Sequence, residues 1–122
     1  MNITDSAFDV KFYEFPDGIK PAKDFVMGLT PKMKAKMLWL IDMLGANGIG
    51  LREPYSKHLT DGIFELRAQV GNDLSRVLFF FCIGRRVVLT HGFIKKTTKT
   101  PHSEIERAKK YRIEYLNRKE NQ

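Results

Sequence analysis

Arg67, Arg76, His91 and Lys95 are residues of the types that metal-free cleavage of a phosphodiester requires. That reaction needs a group to take the proton from a ribose 2'-OH, cations to stabilise the crowded phosphorane, and an acid for the leaving 5' oxygen. Arginine and lysine supply the cations, and histidine, lysine or tyrosine the proton transfers. Side chains alternate between the faces of a strand, so Glu65 shares a face with Arg67, Arg76 with Leu78, and His91 with Lys95. Three neighbouring strands would therefore gather Arg67, Arg76, His91 and Lys95 as a catalytic set, provided their register aligns them. Lys96 and Lys99 follow the last of these strands and Arg85 and Arg86 precede it; all four are expected RNA contacts. Lys57 and His58, on the loop before the second strand of the chain, offer a phosphate contact and a mobile base.

Each candidate has a structural alternative. Arg67 beside Glu65 can form a cross-strand charge pair, and a strand histidine such as His91 is more often hydrogen-bonded than catalytic. Arg76 opens a very apolar strand, where a lone charge calls for a reason. Lys32, Lys34 and Lys36 read as the solvated face of a helix, while Met33, Met37, Met43 and Trp39 read as core and hairpin packing. No three residues have the spacing of a metal site and no glycine-rich phosphate loop is present, so no cofactor is expected.

The elements that must position these residues follow from periodicity. Phe8, Val10 and Phe12 alternate with Asp9, Lys11 and Tyr13, which predicts a strand with one buried face. Asp17-Gly18 turns the chain. Pro21 then starts a helix with Ala22, Phe25, Val26 and Leu29 on one stripe, and Thr30-Pro31 starts another, with Thr30 as cap and Met33, Met37, Leu40, Ile41 and Leu44 as its stripe. Glycines 45, 48 and 50 end it, and a loop through Pro54 and Gly62 leads to strands at Ile63 to Val70, Val77 to Ile83 and Val87 to Ile94, joined by hairpin-type turns. Phe79, Phe80 and Phe81 in succession place the middle strand at the sheet centre. A last helix, starting at Thr100-Pro101 or the capping box Ser103-x-x-Glu106, carries Glu106/Lys110 and Glu114/Arg118 pairs; its narrow apolar side predicts packing at the sheet margin. The expected class is α+β, a helical hairpin on an antiparallel sheet with a C-terminal helix, in a single domain spanning residues 1–122.

With 43% apolar and 29% charged residues over 122 positions, the chain has material for a packed core and is unlike a disordered one. No apolar run approaches a membrane span, and Met1-Asn2-Ile3-Thr4-Asp5 lacks the features of a signal peptide, which predicts a cytoplasmic location. The single cysteine, Cys82, excludes an intrachain disulfide and reads as a small buried hydrophobe. The net charge of +7 lies wholly in the second half: residues 1–61 hold eight basic and eight acidic side chains, residues 62–122 thirteen and six. Between Arg85 and Lys99 there is no acid at all. Nucleic acid is the leading anionic partner for such a surface, with plain solvation as the alternative.

The string Asp61-Gly62-Ile63-Phe64-Glu65-Leu66-Arg67, then Arg76-Val77-Leu78-Phe79-Phe80, then Gly92-Phe93-Ile94-Lys95-Lys96-Thr97 and Lys99-Thr100-Pro101, resembles the HigB-like, phage-derived branch of the RelE/ParE toxin superfamily. The resemblance covers nearly the whole chain in order. It implies a RelE-like microbial RNase fold and the toxic half of a type II toxin-antitoxin pair, a ribosome-dependent mRNA endoribonuclease silenced by a cognate antitoxin, expected to be of helix-turn-helix type. The same superfamily contains gyrase poisons, so a ParE-like toxin that inhibits gyrase by protein contact is the alternative. RelE-type enzymes commonly place a tyrosine near the chain end. Here a longer basic helix carries Tyr111 and Tyr115 outside any matching motif, and the carboxylate, aromatic and histidine cluster of well-known HigB nucleases has no counterpart after Lys99. The general acid is therefore unassigned.

Overall fold

The computed structural model describes residues 7–94 and 99–120, without the side chains of 119 and 120. In chain order the elements are β1 (Asp9–Phe12), α1 (Pro21–Met27), α2 (Pro31–Asn47), a short 3-10 turn (Gly48–Gly50), β2 (Ser56–Thr60), β3 (Ile63–Val70), β4 (Asp73–Cys82), β5 (Arg86–Ile94) and α3 (His102–Glu120). Five strands form one sheet in the order β1-β5-β4-β3-β2. Strands β2 to β5 are an antiparallel meander, and β1 adds to the open edge of β5 in parallel, Val10 opposite Val87 and Phe12 opposite Leu89. The class is α+β, as expected, with one parallel edge that the alternation of β1 could not reveal.

Strand β2 occupies a stretch that reads as a loop. Its signal is the dipeptide Asp61-Gly62, with φ of 50° and 78°, the pair of left-handed residues that a tight hairpin turn requires. Thr60 and Ile63 pair directly across it.

The α1–α2 hairpin covers one face of the sheet. Ala22, Val26, Met37, Leu40 and Leu44 pack on Leu66, Val77, Phe79, Val87 and Leu89, all but fully buried. Gly92 is where α1 comes nearest: a β-carbon there would lie 2.2 Å from the Phe25 ring. Thr30 stands at the N-cap of α2 without a side-chain capping bond. Trp39 departs from the expected packing and is 46% exposed. The buried stripe Met33-Met37-Leu40-Leu44 fixes the inner side of α2, and Trp39 falls off it.

The expectation for the C-terminal helix is corrected. Helix α3 lies on the second face rather than at the margin, over Tyr13, Ile63, Leu78, Phe80 and Val88, with Ala108 fully buried at the contact. Those residues form an apolar surface that this helix covers together with Phe15 and Leu59, and the small Ala108 lets it approach. Glu114 pairs with Arg118 as expected, whereas Glu106 turns to Lys109 (3.3 Å) and His102 (3.6 Å) instead of Lys110. Lys109 also reaches Asp61 (2.8 Å), fastening α3 to the β2–β3 turn. Cys82 is only half-buried, at the edge of this second core. Phe79 and Phe80 are buried on opposite faces of β4, the central strand.

Candidate functional site: a cationic groove over a buried charge cluster

Arg67 and Arg76 stand directly opposite each other on β3 and β4. Two like charges in such a pair repel, and the repulsion is relieved by Glu65, two residues along β3 on the same face. Its carboxylate lies 3.0 Å from Arg67 Nε and 3.8 Å from Arg76 Nη1. Thr100, just before α3, closes the cluster: its hydroxyl donates to Glu65 Oε1 and accepts from Arg76 Nη1 at 3.2 Å. The side chains of Arg76 and Glu65 are 0% and 1% exposed, that of Arg67 21%. Burial pulls the Arg76 guanidinium below its ordinary value and Arg67 adds to this, while Glu65 opposes it.

Above the cluster is an open groove of about 440 Å³ lined by Lys57, His58, Leu59, Glu65, Arg67, Lys99, Thr100 and Ile105. Lys57 faces it because its partner across the ladder is Glu65. Lys99 is carried to its rim by the neighbouring Thr100. Three cations and one carboxylate thus border a cleft at one end of the sheet, an arrangement that attracts an anion. Among the described residues no group of three or more His, Cys, Asp and Glu could hold a metal ion.

The other candidates are distributed differently. His58 lies at the rim, its ring 4.9 Å from Phe64 on the hairpin side and its Nε2 accepting from the Gly62 N–H at 3.2 Å. His91 shares the α3 face with Arg67 and Arg76 but is 2% exposed. A bulge at Thr90 sets it there, since Phe79 pairs with Leu89 and the adjacent Leu78 with His91. Its Nδ1 is 3.1 Å from Thr90 Oγ1 and its Nε2 3.0 Å from Glu104 of α3. Burial pushes the imidazole down, against the pull of Glu104. Arg85 and Arg86 are at the far end of β4, where Arg86 pairs with Cys82, roughly 20 Å from Arg76 at 3.3 Å per residue. There Arg86 contacts Asp9 (3.4 Å) and donates to the Tyr115 hydroxyl (3.1 Å), and Arg85 lies over the Phe8 ring. Lys95 and Lys96 lie outside the described residues.

Tyr111 and Tyr115 are spent in packing. Tyr111 stacks on Tyr13 with centroids 4.8 Å apart, and Tyr115 meets Phe80 edge-on. Thr100 is the member of the cluster that sequence reasoning missed; it was legible only as the start of a helix, and its role depends on the fold bringing it over β3.

A family model described as phage derived protein Gp49-like (DUF891) matches residues 24–112. The chain belongs to this family. The matched span of the Gp49-like family runs from α1 into α3 and contains the buried cluster, the groove and every candidate residue named above except Tyr115. It also contains the motifs that resemble the HigB-like, phage-derived branch, so the two assignments agree. No curated protein matches the chain. Among solved structures, one chain of the archaeal RelE–RelB complex from Pyrococcus horikoshii OT3 aligns with a TM-score of 0.49 and 14% identity, over 76% of this chain and 99% of that one.

Proposed function

We propose that this Gp49-like chain is the toxin half of a type II toxin-antitoxin pair and acts in the cytoplasm as a metal-independent, ribosome-dependent mRNA endoribonuclease. The observation that carries the reading is the groove, where Lys57, Arg67 and Lys99 surround a cleft above a buried Glu65–Arg76–Thr100 cluster. Arg67 is the residue placed to touch a phosphate: it is partly exposed, and Glu65 fixes its guanidinium from below. Arg76 is a positioning residue, since it holds Glu65 and Thr100 and has no exposed side-chain surface in this conformation. Lys57 and Lys99 hold the backbone of the strand. Lys95 and Lys96 belong to the same basic set through their place between Ile94 and Lys99 in the sequence. His91 ties β5 to α3 through Glu104.

The partner is a cognate antitoxin of helix-turn-helix type that covers the basic surface or keeps the toxin off the ribosome. Co-expression with the product of the adjacent reading frame is expected to restore growth and yield a stable complex. Induction in cells, with RNA 5' ends mapped alongside DNA supercoiling, separates the activities. New 5' ends within coding regions at unchanged supercoiling are expected; altered supercoiling with intact messages would instead support a gyrase poison.

A further inference from the structure

Arg67 borders a second cleft, on the side away from Lys99. Pro54, Tyr55, Arg67, Gln69 and Leu74 line this space of about 230 Å³, and Arg67 is the wall it shares with the cationic groove. The carbonyl of Tyr55 accepts from the Arg67 N–H at 2.9 Å, so the tyrosine and the arginine leave the backbone side by side. Trp39 meets the Tyr55 ring edge-on, centroids 5.6 Å apart and planes at 83°. Both rings keep more than a third of their surface exposed. Pro54 and Leu74 are the apolar members of the lining, and Gln69, whose Nε2 donates to the Gly71 carbonyl at 3.0 Å, carries its polar amide and holds Oε1 as acceptor.

An aromatic ring fixed beside a cationic groove is the arrangement with which proteins hold single-stranded RNA, the cations taking the phosphate and the ring stacking on a base. We infer that this cleft receives one base of the RNA strand, stacked on Tyr55, while a phosphate of the same nucleotide lies at Arg67. Gln69 reads the edge of that base, and the cleft thereby sets which nucleotide is preferred beside the reacting phosphate. This inference rests on the RNA reading of the groove and goes beyond it in assigning a base subsite.

The test uses the whole chain and uncleavable 2'-O-methyl RNA hexanucleotides, intact or with one abasic position moved along the strand. Trp39 is the only tryptophan, so its fluorescence reports on the cleft through its contact with Tyr55. Intact RNA is expected to bind and change that fluorescence, and one abasic position is expected to weaken binding by about 5- to 150-fold. Tyr55→Leu should show the same loss and no longer distinguish intact from abasic RNA, Tyr55→Phe should restore both, and Gln69→Ala should alter the ranking of the four bases at that position. Salt-dependent binding that is equal for intact and abasic RNA at every position would overturn the base subsite and leave the groove standing. Absence of salt-dependent binding by the wild-type chain would overturn the subsite as a site of the free chain, whereas the ribosome-dependent reading falls only if induction yields no new RNA 5' ends.

Discussion

Arg67 and Arg76 are one cross-strand step apart, yet burial divides their work. The sequence places both on one face as cations for a phosphate, and the face is as read; exposure is what it could not supply, because Arg76 is held in a buried cluster by Thr100 and Glu65, and Thr100 is distant in sequence. Removing Arg76 would take from Glu65 its fully buried counter-charge and leave it the partly exposed Arg67, 3.0 Å away. Arg76→Ala is therefore expected to cost about 3 to 5 kcal/mol of folding stability, as breaking a buried pair from one side does. Urea denaturation measures this, and a change below about 1 kcal/mol would show that the cluster does not depend on it. Arg67→Ala removes the partly exposed cation instead. Folding should survive, and cleavage should fall about 10²- to 10³-fold, as on loss of one oriented donor to the transition state.

At the scale of elements, the longer strands and both helices of the hairpin were legible because their apolar periods are regular: β3 spans Ile63–Val70, as read, and the stripes of α1 and α2 face the sheet. What escaped was set by partners far away in sequence. Strand β2 is short and polar, with buried and exposed positions that do not alternate, and only its Asp61-Gly62 turn announces it. Helix α3 looks too polar for a core, but one alanine and two tyrosines suffice against a sheet face already lined with Ile63, Leu78, Phe80 and Val88. Gly92→Ala tests the seat of α1, since the added carbon meets Phe25; a loss of about 1 to 3 kcal/mol is expected, and a neutral result would mean that α1 shifts freely. His91 tests the seat of α3. Burial holds its folded pKa below the ordinary value, so the unfolded chain takes up a proton near pH 6.5 before the folded chain does. Stability present above that value should fall as the pH drops from about 6.5 toward the folded pKa. His91→Gln should flatten that part of the urea-midpoint profile, and an unchanged slope would assign the loss to other groups.

For the whole molecule, the uneven charge was legible from the outset, and the fold adds its division into two ends. Lys57, Arg67 and Lys99 meet at one, whereas Arg85 and Arg86 are engaged with Phe8, Asp9 and Tyr115 at the other. Lys99→Ala should weaken RNA binding and lower its salt slope by about one unit, leaving the chemical step near normal. Arg85→Ala, at the far end, should leave cleavage at the wild-type level. The most direct measurement of the central claim is single-turnover cleavage of messenger RNA on programmed ribosomes, with wild-type, Arg67→Ala and Arg85→Ala chains compared at matched stability. The account predicts cleavage by the wild type and Arg85→Ala, and a loss of about 10²- to 10³-fold in Arg67→Ala. Full activity in a folded Arg67→Ala chain, or none in the wild type, would contradict it.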